Sequence, residues 1–225
     1  MVEDLSHLEN SLPPSPPSPT AVELSLPLLH PPPGPARPCC FTGLISSQTR
    51  SLLEGRVVWK CGSSFEGTFH SATSWPRKGS YLCPSKGLKY IGSFEGGQFH
   101  GEGTLIIVNV EVYNGSFAKG LKHGRGTLNW KGGSVEGAWE AGVKSGMCTV
   151  KDGEGRKVYE GAFRNDAREQ GASYEYGEGG DVVVFYNGGW EGERYSGYGV
   201  LEDAAGKYEV RVIHRYHCFQ LRCHF

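Results

Sequence analysis

The residue types with the strongest chemical potential lie near the C-terminal end of the chain. Between His214 and His224 the sequence holds three histidines and two cysteines, which are side chains that Zn²⁺ prefers. Their spacing, His-x-x-His-Cys and then Cys-His, does not match a common closed zinc site, which takes four ligands in two separated pairs. From Tyr208 onward the same segment alternates apolar and mainly polar residues, as a strand does. We therefore predict no metal site here, and a capping strand or tail over 207–225.

A catalytic site needs a nucleophile, a base or a metal cluster whose residue types and spacing fit together, and none is evident. The Gly-x-Gly pairs at 101–103, 124–126 and 197–199 contain part of a phosphate-binding loop. Each pair lacks the third glycine, and each follows a turn rather than a strand. His100 and His123, which precede two of these pairs, are interpreted as turn residues that hydrogen bond to their own hairpins. We predict a protein that is not an enzyme and that needs no cofactor.

The composition narrows the class of protein. The chain has 225 residues and a formal net charge of −1, which removes the simplest argument for nucleic-acid binding. No stretch approaches the ~20 apolar residues of a membrane span. Seven cysteines, an odd number, argue against a secreted disulfide framework. We expect a cytoplasmic protein with no nucleic-acid partner.

Proline and glycine divide the chain. Eleven of the thirteen prolines lie in residues 1–38, whereas 28 of the 34 glycines lie in 87–206, which contain no proline. Proline-rich sequence favours extended polyproline II and cannot build a core, so we predict a disordered Pro-rich tail over 1–38. We assign 39–64 to a linker and half of a repeat.

The glycine-rich region is an internal repeat. An aromatic-x-Gly-x-aromatic pattern recurs at intervals of 25, 23, 22, 24 and 27 residues, with one aliphatic exception. The six copies begin at Phe65, Tyr90, Tyr113, Val135, Tyr159 and Tyr186. Such a period is too short for two helices and suffices for two strands with their turns. Each copy is therefore predicted to form a β-hairpin, and 65–206 to form a repeat array of about six copies.

The predicted fold is all-β. A single hairpin is marginally stable, so successive hairpins must pair edge to edge into one elongated, twisted antiparallel sheet. A spacing of two places both aromatics and the intervening glycine on the same side of a strand. The glycine leaves a hollow there, which we expect an aromatic ring of a neighbouring repeat to cover.

The full pattern, Tyr-x-Gly-x-Trp-x-x-Gly-x-x-x-Gly-x-Gly, resembles the MORN (membrane occupation and recognition nexus) repeat. The copies at Tyr90 and Tyr113 match every motif position, with Phe in place of Trp. The resemblance covers 65–206 and implies the hairpin array inferred above.

Two copies, at Phe65 and Tyr159, are degenerate. The later glycines of the Tyr159 copy are replaced by Asp166, Gln170 and Ala172. In the Tyr186 copy Glu193 replaces one glycine. The other motif glycines are interpreted as structural residues at the turns of the repeats: Gly92, Gly97, Gly101, Gly103, Gly115, Gly120, Gly124, Gly126, Gly137, Gly142, Gly146, Gly188, Gly197 and Gly199.

The resemblance implies a non-enzymatic protein–protein interaction scaffold or adaptor. Self-association into a homo-oligomer and attachment to the cytoskeleton or to membranes are further expectations. Clustered accessible aromatic residues make interface hot spots, so the motif aromatics are our candidates for a groove that binds a partner helix. They are Tyr90, Phe94, Tyr113, Phe117, Trp139, Tyr159, Phe163, Tyr186 and Trp190.

Two alternatives stay open. The first is a peripheral membrane adaptor that binds anionic phospholipids weakly, because residues 39–89 hold seven basic and two acidic residues and a second basic run lies at 119–125. The second is a regulatory fragment related to a MORN-containing enzyme, because MORN arrays lie beside lipid-kinase and methyltransferase domains.

Overall fold

A computed structural model of the protein describes residues 40–45, 52–70, 76–212 and 222–223. Within these residues the secondary structure consists of strands and one short 3₁₀ helix, Pro84–Lys86. None of the described helices is long and apolar enough to cross a membrane.

Sixteen strands follow one another along the described chain. Their bounds are β1 Cys40–Ile45, β2 Leu52–Val58, β3 Ser64–Phe69, β4 Pro76–Cys83, β5 Leu88–Glu95, β6 Gln98–Ile107, β7 Glu111–Ala118, β8 Leu121–Trp130, β9 Gly133–Glu140, β10 Val143–Asp152, β11 Lys157–Arg164, β12 Ala167–Tyr176, β13 Val182–Gly192, β14 Arg194–Asp203, β15 Gly206–Val212 and β16 Arg222–Cys223. Strands adjacent in the sequence pair antiparallel from β1 to β8 and from β10 to β16. The prediction of an all-β fold, built from tandem hairpins in an antiparallel sheet, is confirmed.

The described residues form two compact units. The N-terminal unit comprises β1 to β8 and residues 138–143. The C-terminal unit comprises residues 132–137 and the described residues from Lys144 onward. Strand β9 therefore has its first residues in the C-terminal unit and its last residues in the N-terminal unit.

Strand pairing begins before the aromatic repeats. Strands β1 and β2 lie within 39–64, the segment assigned from the sequence to a linker and half of a repeat. Gly43 lies opposite Gly55, and Gly55 lies opposite Gly67. Strand β2 agrees with the predicted half repeat, whereas the linker assignment is wrong for β1, which pairs with β2. The sequence did not indicate β1 because its central glycine is not framed by two aromatic residues.

The predictions for the chain ends fall partly outside the described residues. Strand β15 pairs with β14, in the place where a capping strand is predicted. The predicted disordered tail, 1–38, lies outside the described residues. So do 213–221 and 224–225, which hold the histidines of the C-terminal segment.

A glycine stands at the centre of most strands, and these glycines face one another from strand to strand. The row in the N-terminal unit consists of Gly43, Gly55, Gly67, Gly79, Gly92, Gly103, Gly115 and Gly126. The row in the C-terminal unit consists of Gly161, Gly171, Gly188 and Gly199, between Cys148 and Val210. The space above each row is what the aromatic side chains of the repeats fill.

Candidate functional site

The tyrosine that opens a repeat lies over glycines of its own hairpin. A Cβ atom on Gly92 or Gly103 would overlap the ring of Tyr90. The hydroxyl group of this tyrosine donates a hydrogen bond to the carbonyl oxygen of Ser93, at 3.0 Å. The arrangement recurs at Tyr113, Tyr159 and Tyr186. The expectation that a neighbouring repeat's ring covers the glycine is therefore wrong, because the tyrosine two residues earlier already occupies the hollow.

Burial keeps these tyrosine hydroxyl groups protonated. It raises the pKa of Tyr159 and Tyr186 to about 12. Burial also raises the pKa of Tyr90 and Tyr113. The phenols thus act as hydrogen-bond donors to the backbone of their hairpins rather than as acids.

The second aromatic residue of each motif joins one repeat to the preceding one. The Phe117 ring lies edge to face against Tyr113 of its own repeat and Tyr90 of the preceding repeat, with 5.1 Å between centroids in each pair. Trp139 lies 5.4 Å from Tyr113, and its indole N–H donates to the carbonyl oxygen of Gly126 at 3.2 Å. Such pairs contribute about 0.5–1.5 kcal/mol beyond the area they bury.

The side chains predicted to line a partner-binding groove are all buried. None of the nine is more than 6% exposed: Tyr90, Phe94, Tyr113, Phe117, Trp139, Tyr159, Phe163, Tyr186 and Trp190. The expectation that some of these rings stay accessible is wrong, because each ring is covered by rings of its own or of an adjacent repeat. We therefore assign these residues to the core of the repeat array.

The motif glycines have three positions, and only one of them is a turn. Gly97, Gly120 and Gly142 lie in turns, as predicted. The strand-centre glycines are Gly92, Gly103, Gly115, Gly126, Gly137, Gly188 and Gly199. Gly101, Gly124, Gly146 and Gly197 lie in strands but have positive φ angles. At Gly101 (φ 59°) the pairing register shifts by two residues, and glycine is favoured there because it adopts this left-handed conformation without strain.

A third packing position lies five residues after the second aromatic of each repeat. From the Tyr90 copy to the Tyr186 copy it is occupied by Phe99, Lys122, Lys144, Arg168 and Tyr195. Phe99 and Tyr195 stack on the tyrosines of their own repeats, with ring centroids 3.8 Å and 3.9 Å apart. The three middle copies place a cation at this buried position instead. Sequence reasoning missed the position because the MORN motif does not specify it.

Lys122 shows how such a cation is accommodated. Its Nζ lies 5.4 Å from the ring centroid of Tyr113 and 5.2 Å from that of Trp139, close enough for cation–π attraction. The same atom lies 2.8 Å from Oε1 of Glu111. Lys122 belongs to the basic run 119–125 that the sequence offered for lipid contact, but it is only 8% exposed. One cation of that run, Lys122, therefore lies in the core rather than on the surface.

Lys144 and Arg168 pair with carboxylates that replace motif glycines. Lys144 Nζ lies 3.6 Å from Asp166 Oδ1, and Arg168 Nη1 lies 3.5 Å from Glu193 Oε2. Burial lowers the pKa of both cations, and the facing carboxylates oppose that change. Asp166 and Glu193 therefore compensate a charge that the preceding repeat buries. A cation at the third packing position, followed by an acid in the next repeat's turn, is the signal that identifies this pairing.

The opposite face of the N-terminal unit carries different chemistry. Residues that flank a strand-centre glycine point away from the aromatic rings, because side chains alternate along a strand. One cross-strand row on this face consists of Arg56, Glu66, Ser80, Ile91, Thr104, Asn114 and Thr127. We call this row the open face of the N-terminal unit, together with Lys78, Leu82, Lys89, Glu102, Ile106 and Val112.

The open face combines exposed aliphatic side chains with polar groups. Leu82 is 40% exposed and Ile91 is 44% exposed. Lys89 lies on β5 two residues before Ile91, opposite Leu82 on one side and Ile106 on the other. A shallow depression beside this patch is lined by Lys78, Gly79, Ile91, Gly92, Glu102, Gly103, Thr104, Asn114 and Gly115. Four glycines of the row, Gly79, Gly92, Gly103 and Gly115, form part of its lining.

A comparison with known protein families finds matches in the two most regular hairpins. The family model of the MORN repeat matches residues 90–109 and 113–135. This chain carries MORN repeats. The matched MORN repeats cover most of the hairpins β5–β6 and β7–β8, in which every glycine of the motif is present. No curated protein matches the chain. The MORN arrangement of a tyrosine over strand-centre glycines also occurs in β11–β12 and β13–β14, outside the matched residues.

Proposed function

We propose that the chain is a non-enzymatic interaction scaffold of the cytoplasm, and that it binds a protein partner through the open face of its N-terminal unit. MORN repeats in an antiparallel sheet are consistent with a repeat-based interaction module. The observation that carries the proposal is the contrast between the two faces. The aromatic rings are buried in packing, whereas the opposite face keeps exposed Leu82 and Ile91 beside charged groups. Self-association and cytoskeletal attachment stay predictions.

The side chains of the open face define the chemistry of the partner. Leu82 and Ile91 are exposed, and Ile106 and Val112 beside them are half-buried, so this patch favours a partner with apolar anchors. Lys89, at the centre of the patch, is exposed and favours an acidic residue next to those anchors. An amphipathic helix with acidic flanks satisfies both requirements.

The test compares the introduction of negative charge into the apolar patch with the same kind of change elsewhere. We expect Leu82→Asp/Ile91→Asp to reduce capture of a stoichiometric partner by tagged full-length protein at least tenfold. Met147→Asp is the matched control, since Met147 is 63% exposed and lies in the C-terminal unit. Quantitative mass spectrometry measures capture, and thermal melting confirms that both variants are folded. Equal capture by both variants, or no stoichiometric partner for the wild type, contradicts the proposal.

A second candidate function is contact with anionic lipid, which the exposed charges of 52–70 and 76–89 favour. Six cations there are exposed, against two exposed carboxylates, Glu54 and Glu66. The cations are Arg56, Lys60, Arg77, Lys78, Lys86 and Lys89. Each cation near an anionic surface contributes about 1 kcal/mol, so a net excess of this size supports weak binding.

Vesicle flotation distinguishes the lipid candidate from the protein partner. We expect flotation with phosphoinositide-containing vesicles at low salt, none with neutral vesicles, and weakening at physiological salt. Lys78→Glu/Lys89→Glu reduces it, whereas Lys151→Glu, an exposed lysine of the C-terminal unit, does not. Absence of flotation at either salt concentration eliminates the lipid candidate and leaves the protein partner.

A further inference from the structure

The apolar patch of the open face has exposed cations beside it. Leu82 and Lys78 lie on β4, Ile91 and Lys89 lie on β5, and all four side chains are exposed. Neither lysine forms an ion pair within the part of the chain that the structure describes. An occupant that complements this patch therefore supplies apolar anchors together with carboxylates.

The apolar row of the patch has a defined length. Leu82 lies opposite Lys89, which in turn lies opposite Ile106. Ile106 lies opposite Val112 on the next strand, and Ile91 widens the patch along β5. Because adjacent strands are about 4.8 Å apart, the row from β4 to β7 extends over about 14 Å. The anchors of a docked segment need to cover a similar length.

The first twelve residues of the chain combine the required residue types. Residues 1–12 lie outside the described residues, and their sequence contains three acids but no lysine, arginine or proline. Their branched aliphatic residues recur at intervals of three, three and four, a spacing that favours an amphipathic helix ending before Pro13. A helix of this length places the first and last of these residues about 15 Å apart, which matches the apolar row. The aliphatic residues are Val2, Leu5, Leu8 and Leu12, and the acids are Glu3, Asp4 and Glu9.

The chain between this segment and β1 is long enough to bring the segment to the patch. Strand β1 begins at Cys40 and belongs to the N-terminal unit, which also contains the patch. Residues 13–39 hold eleven prolines, and at the rise of polyproline II they reach up to about 80 Å. The patch begins at β4, three strand spacings or about 14 Å from β1. The connection therefore exceeds the required distance several-fold and can turn back over the sheet.

We propose that residues 1–12 bind the open face of the N-terminal unit of their own chain and compete there with the protein partner, an inference that rests on the function proposed for that face. The aliphatic residues of the segment cover Leu82 and Ile91, and its acids face Lys78 and Lys89. A helix of twelve residues is marginally stable in water, so the segment becomes ordered only against the sheet. Tethering keeps its local concentration on the order of 1 mM, so that a weak contact suffices.

Zero-length cross-linking of the wild-type full-length protein is the decisive experiment. A carbodiimide joins a carboxylate directly to a lysine amine and therefore reports pairs that are in contact. We expect cross-linked peptides that connect 1–12 with Lys78 or Lys89, and none with Lys151, an exposed lysine of the C-terminal unit. In a mixture of isotope-labelled and unlabelled protein, these links should join residues of one chain. Absence of links to both lysines overturns the proposal, and so do links that mainly join two chains.

Substitutions in the tail separate docking from chance contact. Leu5→Ser/Leu8→Ser should reduce the yield of these cross-links at least fivefold, and so should Ile91→Ser on the sheet. Leu24→Ser/Leu26→Ser is the matched control, because it removes two leucines of the same tail outside the segment and should keep the wild-type yield. Thermal melting confirms that every variant is folded. An equal loss of yield in the control variant contradicts the assignment of the contact to 1–12.

Partner capture distinguishes failure of this inference from failure of the proposed function. Leu5→Ser/Leu8→Ser should increase capture of the stoichiometric partner at least threefold, because the segment no longer competes for the patch. Unchanged capture by this variant, together with absent cross-links, overturns the inference and leaves the proposed function standing. Cross-links in a protein that captures no partner contradict the proposed function but support the segment as the occupant of the patch.

Discussion

Hairpins β5–β6 and β11–β12 fill the same buried position, the third packing position, with different side chains. In β5–β6 the third packing position holds Phe99, stacked 3.8 Å from Tyr90, and the turn holds Gly97. In β11–β12 the same positions hold Arg168, 4.7 Å from the ring of Tyr159, and Asp166. Arg168 therefore replaces the ring, and its carboxylate partner is Glu193 of the following repeat, with Nη1 and Oε2 3.5 Å apart.

The two hairpins also differ in the size of their bulge. In β5–β6 the register shifts by two residues, and Gly101 adopts a φ of 59° within the bulge. In β11–β12 the shift is one residue, so that Gly171 rather than residue 172 lies opposite Gly161. The Tyr159 copy therefore keeps its strand-centre glycine. Its last motif glycine is missed in the sequence because the motif spacing assumes the longer bulge, whereas Asp166 and Gln170 are true replacements of motif glycines.

The largest expected change in stability tests whether Gly171 lies opposite Gly161. Gly171→Ala should lower the free energy of unfolding by about 3 kcal/mol, because the new Cβ overlaps the backbone of Glu160 and Gly161. Ala172→Gly is the matched control and should cost about 1 kcal/mol or less. Chemical denaturation measures both. The reverse order of the two effects means that residue 172, not Gly171, belongs to the row.

The next effect tests the charge compensation. Asp166→Gly restores the motif glycine, yet it should destabilise the protein by about 2 kcal/mol, since Lys144 is left buried without its carboxylate. It also removes the acceptor of the Lys144 backbone N–H, which lies 2.9 Å from Asp166 Oδ1. The double variant Asp166→Gly/Lys144→Phe copies the arrangement of β5–β6 and should recover at least ~1 kcal/mol in a double-mutant cycle.

Backbone relief opposes the expected destabilisation in that variant. Asn165 and Asp166 both have positive φ angles, 50° and 67°, which glycine adopts more easily. Asn165→Gly, which removes no partner of Lys144, is therefore the control and should change the free energy of unfolding by no more than about 0.5 kcal/mol. Destabilisation of the same size in both variants counts against charge compensation.

The third effect concerns the tyrosine that both kinds of hairpin share. The pKa of Tyr159 rises from 10.0 to about 12, so between these values the phenol is protonated in the folded state and ionised in the unfolded state. The unfolded state then binds fewer protons, and the free energy of unfolding falls as pH rises through this window. Tyr159→Phe and Tyr186→Phe should each reduce the alkaline slope by about one proton.

The matched control for the pH effect is an exposed ring. Tyr198→Phe changes a side chain that is 72% exposed and should leave the slope as in the wild type. Denaturation curves recorded across pH 10 to about 12 measure the slopes. An unchanged slope for Tyr159→Phe shows that this phenol does not contribute to alkaline unfolding.

The smallest expected change in stability contrasts an exposed Glu–His contact with the buried ion pairs. Glu95 and His100 lie 3.1 Å apart within β5–β6, but their side chains are 71% and 43% exposed. Glu95→Gln should change the free energy of unfolding by less than about 0.5 kcal/mol, because solvent screens the pair. A loss as large as that of Asp166→Gly removes the distinction drawn between buried and exposed pairs.

Much of the fold follows from the repeat. The spacing of Tyr90, Gly92 and Phe94 predicts a strand with these residues on one side, and the period predicts a hairpin. The candidate site was less predictable. Aromatic residues at regular spacing are found both in cores and in binding grooves, and only the contacts of a ring such as Phe117 distinguish the two.

The all-β class, the hairpin repeat and the MORN motif follow from the amino-acid sequence alone, because side-chain alternation and glycine spacing are local properties of the chain. The tertiary structure was needed to establish that the rings are buried, that Gly171 belongs to the glycine row, and that Lys144 faces Asp166. These outcomes depend on cross-strand register. A bulge of one or two residues sets that register, and the motif does not encode the size of the bulge.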